Sequence, residues 1–195
     1  MVQTVVWSKT ILTAYPNLEQ YAARLDKCMQ ALACKGLGHS GDPMELIGKM
    51  MQLNVRKETV VNVYVIVTQT LEKVKPQYRE ILECKYGRGM RFAQIAEHLQ
   101  VCLRTVFRRY QCAMEQFVQA LERSGYGAQW LSERLGDDPM FAKLHDRVQE
   151  RMLSEEAPYP ADGSAQTLEQ VMRDIRSVVR EKRQATQPIR IQAGA

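Results

Sequence analysis

An arginine-rich stretch without acidic residues is the part of this sequence best suited to bind a polyanion. Between Glu97 and Glu115 the chain carries Arg104, Arg108 and Arg109 but no aspartate or glutamate. Guanidinium groups pair with phosphate oxygens and with the O6 and N7 atoms of guanine, whereas carboxylates on the same surface would oppose the phosphates. The stretch therefore indicates contact with nucleic acid.

Residue types that could support catalysis or metal binding are present, but they are not arranged for it. The histidines His39, His98 and His145 are far apart, and none has a cysteine at metal-ligand spacing. The sequence has no GxxxxGK[ST], GxSxG or HExxH motif, and the acidic pairs at 137–138 and 155–156 lie in loop-like segments without a partner base. Those pairs are more typical of solvated or helix-capping groups. We therefore expect no enzyme activity, no metal site and no cofactor.

The arginines are predicted to lie on the second helix of a helix-turn-helix. Apolar residues over 76–123 have the spacing of such a unit, with a turn at 98–102 and a second helix that starts near Leu103. The predicted core consists of Leu82, Phe92, Ile95, Ala96, Leu99, Val101, Val106, Tyr110 and Ala113. Recognition helices present their N-terminal residues to base edges. The candidates for base contact are therefore Arg104, Thr105, Phe107, Arg108 and Gln111.

Two of the residues near this face have more than one interpretation. Phe107 could stack on a thymine methyl group or pack against another helix of the same chain. Arg109 could hold a phosphate or pair with Glu97. The candidates for contact with the nucleic-acid backbone are Lys85, Arg88, Arg91 and Arg109.

Composition permits nucleic-acid binding without requiring it. The chain has 195 residues and a formal net charge of +5, of which +3 falls in residues 1–75, +3 in 76–123 and −1 in 124–195. The five cysteines are an odd number without a disulfide framework, and most lie in apolar helical stretches, where free cysteine behaves as a small hydrophobe. With no apolar run long enough for a membrane span and no secretory signal, we expect a cytoplasmic protein without membrane contact.

The remaining segments also have helical patterns, so the predicted fold is an all-α bundle. An amphipathic helix is predicted at 17–33, followed by a loop at 36–43 in which Asp42 would cap a helix starting at Pro43. The stretch 55–74 is rich in β-branched residues, which favour a strand, but its apolar stripe and length favour a helix. Residues 126–153 form a helical pattern that is broken at 136–139.

The C-terminal part is predicted to be a linker followed by an amphipathic helix. Residues 154–166 have the composition of a flexible linker, and the helix begins near Thr167 and gives way to a frayed tail. Its apolar face consists of Leu168, Val171, Met172, Ile175, Val178 and Val179, and Arg173, Arg176 and Arg180 lie on its polar side. The predicted organisation is thus an N-terminal helical region (1–75), a helix-turn-helix domain (76–123), a helical extension (124–153), a linker (154–166) and a C-terminal helix with its tail (167–195).

Residues 76–121 resemble region 4 of the sigma-70-type RNA polymerase factors. The resemblance rests on four blocks: aromatic-Arg-Glu-Ile-Leu-Glu at 78–83, Tyr86-x-x-Gly89, Phe92-x-x-Ile95-Ala96-Glu97-x-Leu99, and Thr105-Val106-x-x-Arg109-x-x-x-Ala113. It implies a helix-turn-helix that reads the −35 promoter element and contacts the β-flap of the polymerase. Region 4 normally ends a sigma factor, whereas about seventy residues follow it here, and a promoter-melting region 2 is not recognisable in residues 1–75. Small phage or mobile-element regulators with a lone region 4-like domain are similar in size.

These observations predict a sequence-specific DNA-binding transcription regulator. Its expected partners are double-stranded DNA, core RNA polymerase and, through the amphipathic helices, a second copy of the chain. Three alternatives remain open within this interpretation. The protein could be a complete alternative sigma factor with a reduced region 2, or a phage-type activator or repressor that binds DNA without initiating transcription. It could also be an interaction protein that keeps the helix-turn-helix shape without binding DNA.

Overall fold

The computed structural model describes residues 2–36 and 43–154, and all regular structure in this part of the chain is helical. The predicted all-α fold is therefore confirmed. The eight α-helices are α1 (Val2–Ala14), α2 (Leu18–Gly36), α3 (Pro43–Lys73), α4 (Pro76–Leu82), α5 (Phe92–His98), α6 (Leu103–Arg123), α7 (Ala128–Leu135) and α8 (Pro139–Ser154). A 3-10 turn at Tyr15–Asn17 joins α1 to α2, and a π-helical turn at Glu83–Gly87 continues α4.

Helix α1 is buried on almost all sides, and it was not predicted as a separate element. It contacts α8, α6, α7 and α3. Its buried residues include Trp7, whose ring centroid lies 4.3 Å from that of His145 in α8, and Ile11, which has no exposed surface. The Thr10 hydroxyl donates a hydrogen bond to the Val6 carbonyl, so this polar group is satisfied inside the core. Because apolar residues surround this helix, the stretch has little of the amphipathic periodicity that identifies a surface helix.

Helices α2 and α3 pack against each other as a helical hairpin. The helix predicted at 17–33 and the helix start predicted at Pro43 are both confirmed, although Asp42 lies outside the described residues. The ambiguous stretch 55–74 is helical and forms the C-terminal part of α3. Its β-branched residues are accommodated because they form the buried stripe, which includes Val60, Val63 and Val67.

The tip of this hairpin projects beyond the core. No described residue between Leu25 and Val60 is buried. Cys28, which the periodicity placed on the buried face of α2, is exposed, and so is Cys34. Helix periodicity identifies the apolar side of α2, but it cannot show where the rest of the bundle stops covering that side.

Asp138 joins the base of the hairpin to the start of α8. The predicted break at 136–139 is confirmed, since α7 ends at Leu135 and α8 begins at Pro139. The buried Asp138 carboxylate accepts hydrogen bonds from the backbone N–H groups of Met140 (2.8 Å) and Phe141 (3.4 Å), which identifies it as a helix cap. Its other oxygen accepts a hydrogen bond from Arg56 Nε at 2.9 Å.

One main hydrophobic core extends across the predicted boundary at residue 75. It takes residues from α1, α2 and α3 on one side and from α4, α6, α7 and α8 on the other. None of the described helices combines the length and the apolar character needed to cross a bilayer. The predicted linker at 154–166 and the C-terminal helix and tail at 167–195 lie outside the described residues, apart from Ser154.

Candidate nucleic-acid interface

A small separate core holds the helix-turn-helix together. Its buried members are Cys84, Ile95 and Val106, and partly buried hydrophobic residues surround them: Met90, Phe92, Ala96, Leu99 and Val101. Burial raises the pKa of the Cys84 thiol, so this group packs as a neutral side chain. Cys84 and Met90 are missing from the predicted core: Cys84 lies in the π-helical turn, whose register differs from that of a regular helix, and Met90 lies in the loop that follows the turn.

The other predicted core residues connect this unit to the main bundle. Leu82 and Ala113 are buried, but they belong to the main core, and Tyr110 packs against that core while remaining partly exposed. Helix α6 therefore contributes Val106 to the small core and its later apolar residues to the main one. Because α6 is attached to both cores, its orientation is fixed. The side that points away from them carries Arg104, Arg108 and Gln111, and we refer to it as the outer face of α6.

The turn between α5 and α6 lies where the sequence predicted it. Helix α5 ends at His98, and the backbone reverses through Gln100, which has a left-handed φ of +52°. The N–H of Val101 donates a hydrogen bond back to the Ala96 carbonyl at 3.0 Å. The extended residue Cys102 then precedes α6, which begins at Leu103 as predicted.

Two predicted base-contacting arginines are exposed on the outer side of α6. Arg104 and Arg108 are one helical turn apart and form no ion pair with any described residue. Gln111 follows on the same side and is also exposed. The first half of α6 thus presents two guanidinium groups and an amide to the solvent, and the first exposed carboxylate on the same side is that of Glu115, one turn beyond Gln111.

Thr105 is half-buried and belongs to the start of the helix. Its hydroxyl shares a hydrogen bond of 3.1 Å with Cys102 Sγ. This contact, together with the N–H of Thr105, lowers the pKa of the Cys102 thiol. A cysteine with an increased thiolate fraction therefore lies directly beside the predicted reading residues.

Phe107 packs against another helix of the same chain, which was one of its two predicted roles. Its ring centroid lies 4.7 Å from that of Phe92, which in turn makes an edge contact with Tyr110 at 5.0 Å. The Tyr110 hydroxyl is 2.8 Å from the Tyr86 hydroxyl. These aromatic contacts link the π-helical turn, α5 and α6, and Phe107 therefore lies at the edge of the outer face rather than at its centre.

The predicted backbone-contacting residues fall into two places. Lys85 and Arg88 lie on or next to the π-helical turn, with Lys85 Nζ 4.4 Å from the centre of the Phe92 ring and Arg88 Nη1 3.4 Å from His98 Nε2. Arg91 precedes α5, and its backbone N–H donates a hydrogen bond to Gln94 Oε1 at 2.8 Å. Arg109 lies on α6 and forms no ion pair with Glu97.

A shallow pocket between α4 and α6 brings Arg109 together with other hydrogen-bonding groups. It is lined by Gln77, Tyr78, Arg108, Arg109 and Cys112. Gln77 and Tyr78 lie in the first turn of α4 and were not predicted as site residues. Because they are some thirty positions from Arg108 in sequence, only tertiary packing reveals that they adjoin it. Arg108 and Arg109 bring two guanidinium groups to this pocket, and guanidinium groups form charge-assisted hydrogen bonds with anionic oxygens.

Among the residues that the structure describes, no group of three histidine, cysteine or acidic side chains could hold a metal ion. The interface consists of cations, amides and hydroxyl groups, which suit binding to a polyanion.

Comparison with known protein families finds a match for part of the chain. Residues 64–117 match the family model described as "Sigma-70, region 4". Neither the comparison with curated proteins nor that with solved structures finds a match. The matched segment starts within α3, includes α4 and α5, and ends at Phe117 of α6, so it contains every predicted site residue. Sigma-70 region 4 is a DNA-binding, non-enzymatic family, and over this segment the chain is similar to it and carries a helix-turn-helix of that type.

Proposed function

We propose that this protein is a sequence-specific DNA-binding transcription regulator that inserts α6 into the major groove of promoter DNA. The observation that carries the proposal is the outer face of α6, where Arg104 and Arg108 are exposed and one turn apart and form no ion pair within the described part of the chain. A solvent-exposed helix face commonly carries charges of alternating sign, whereas here the nearest acidic residues in sequence are Glu97 and Glu115. The match to a DNA-binding family supports the same conclusion.

The residues on this face have different roles in the proposed complex. Arg104 and Arg108 contact base edges, for which the O6 and N7 atoms of guanine are the best-matched acceptors. Thr105 and Gln111 add hydrogen bonds at the start and the middle of the contact. Phe107 stabilises the orientation of α6 through Phe92 and is not needed for base contact.

Backbone phosphates are held on both sides of the reading helix. Arg109 contacts a phosphate at the pocket that Gln77 and Tyr78 also line. On the α5 side, Lys85, Arg88 and Arg91 contact the phosphates of the facing strand. Such contacts fix the register of the protein on DNA and contribute no sequence preference of their own.

Core RNA polymerase is a second proposed partner, because the matched family associates with it. A complete sigma factor would support initiation by purified core polymerase without any other factor. A regulator of the activator or repressor type would bind duplex DNA in the absence of polymerase but would not start transcripts alone. An interaction protein that has lost DNA binding would show no steep dependence on salt.

The test compares two double variants of the full chain on DNA fragments enriched from a random pool. Arg104→Ala/Arg108→Ala should weaken binding by about 30-fold or more, because each lost base contact costs about 1–3 kcal/mol. Arg123→Ala/Arg134→Ala removes two exposed arginines outside the outer face and should change affinity less than threefold. Circular dichroism spectra of the two variants serve to check that both are folded. Unchanged affinity in the first variant would exclude the proposed mode of binding.

A further inference from the structure

A row of exposed apolar side chains runs along the side of α3 that faces away from the core. It consists of Ile47 (49 % exposed), Met51 (65 %), Val55 (60 %), Val61 (42 %) and Val65 (43 %), and we refer to it as the α3 stripe. At 3.6 residues per turn these positions fall within about 120° of one another. The buried residues of the same helix, such as Val60, Val63 and Val67, lie on its opposite side.

The α3 stripe is larger than isolated surface hydrophobics would explain. With these exposed fractions, the five side chains present on the order of 400 Å² of apolar surface, which is typical of the main interaction patch of a small protein. Asn54, Glu58 and Asn62 are exposed in the same sector, so α3 carries apolar side chains on both sides without being apolar all round. A patch of this size is often functional, and the described helices leave it uncovered.

The charges beside the stripe indicate what kind of occupant fits. Glu58 is exposed within the stripe and forms no ion pair with a described residue. The two basic residues that precede it are already engaged, since Arg56 binds Asp138 and Lys57 binds Asp26 at 2.7 Å. A second copy packed through the same stripe would bring a second Glu58 carboxylate to the interface, and the two basic residues next to it in sequence, Arg56 and Lys57, already have their own partners. A basic amphipathic helix would instead provide the missing positive charge.

We propose that the occupant is residues 167–180 of the same chain. The helical pattern predicted for this segment places six apolar residues on one side and Arg173, Arg176 and Arg180 on the other, together with Glu169 and Asp174, which leaves the segment with a net charge of +1. Arginine side chains at the margin of an apolar face extend past it while their methylene groups cover apolar surface, so one of them can reach Glu58. The proposal does not depend on DNA binding by α6.

The chain is long enough for this docking. Helix α8 runs for 16 residues, about 24 Å, from Asp138, whose carboxylate contacts Arg56 two positions from Glu58. Ser154 therefore lies no more than about 40 Å from the middle of the stripe. Residues 155–166 span about 40 Å when extended. The segment can accordingly reach the stripe within one molecule.

The experiment places a photoreactive p-benzoylphenylalanine at Val55 of the full chain and identifies the cross-linked peptides by mass spectrometry. We expect cross-links from position 55 to residues 168–179. A mixture of isotopically heavy and light chains distinguishes cross-links within one chain from those between chains, and here the products should be uniformly light or uniformly heavy. The matched control carries the same probe at Gln52, which is exposed on α3 outside the stripe and should give little of this product.

Charge reversal tests the role of Glu58. In the Val55-probe protein, Glu58→Arg should reduce the cross-link yield by about two- to fivefold, the range expected for an exposed ion pair. Glu122→Arg, at an exposed position on α6, should leave the yield unchanged. Cross-links from position 55 to α3 of another chain would show that a second copy covers the stripe. Mixed heavy–light products with 168–179, or no cross-link to this segment, would equally overturn the proposal.

Discussion

Replacing Asp138 with alanine should destabilise the protein by about 3 kcal/mol, because the substitution removes two interactions at once. Loss of the helix cap on α8, where the carboxylate accepts hydrogen bonds from Met140 and Phe141, costs about 1 kcal/mol. Loss of the ion pair leaves the Arg56 guanidinium without its partner. A fully buried pair would cost about 3–5 kcal/mol, but Arg56 is 35 % exposed and water can replace part of the interaction, so we assign about 2 kcal/mol to it.

The assay is urea denaturation followed by far-UV circular dichroism. Asp138→Asn keeps a capping group but removes the charge, so its loss of unfolding free energy should lie near 2 kcal/mol, between wild type and Asp138→Ala. Asp137→Ala, at the exposed neighbouring position, serves as the control and should change stability by less than about 0.5 kcal/mol. If Asp138→Ala were as stable as Asp137→Ala, the proposed connection between the hairpin and α8 would be wrong.

Three further predictions concern the small core, the start of α6 and the base of the hairpin. Ile95 is fully buried in the small core, so Ile95→Ala should destabilise the helix-turn-helix by about 2–4 kcal/mol. Hydrogen exchange should increase in α5 while α1 and α8 remain protected, and an equal increase in all helices would contradict two separate cores. Because Thr105 lowers the pKa of the Cys102 thiol, Cys102 should be alkylated faster at pH 7 in the wild-type protein than in the Thr105→Val variant. Bound DNA should slow this alkylation, and alkylation that DNA does not slow would place α6 outside the interface. Burial, with a contribution from the Asp138 charge, raises the pKa of Tyr21 to about 12, so the folded state retains a proton that the unfolded chain releases near pH 10. Stability should therefore fall as the pH rises from 10 to 12, and Tyr21→Phe should remove that component of the decrease in urea denaturation; an identical decrease in both proteins would show that Tyr21 is not responsible.

Helix positions were predictable where one face is apolar and the boundaries carry strong signals. Pro43, Pro76 and Pro139 each stand at the first position of a helix, where the missing N–H of proline has no cost. The predicted turn at 98–102 follows from the spacing of the apolar residues on either side of it. In contrast, α1 has no polar face, so its periodicity is weak even though its burial is nearly complete.

The interface was only partly predictable, because its polar partners come from distant parts of the chain. The exposure of Arg104 and Arg108 follows from the helical period of α6. The proximity of Gln77 and Tyr78 to Arg109 depends on how α4 packs against α6, and no local pattern contains that information. Likewise, the exposure of Cys28 depends on how far the hairpin extends beyond α8 and α6.

The central claim is that α6 reads DNA sequence, and a specificity profile tests it most directly. Fragments bound by the wild-type protein, by Arg108→Ala and by Arg109→Ala are selected from random duplex DNA and sequenced at one salt concentration. We predict that Arg108→Ala flattens the preference at one base-pair position, whereas Arg109→Ala lowers affinity evenly and keeps the preference. A wild-type protein without sequence preference, or an Arg108→Ala variant whose profile equals that of the wild type, would contradict the proposed role of α6.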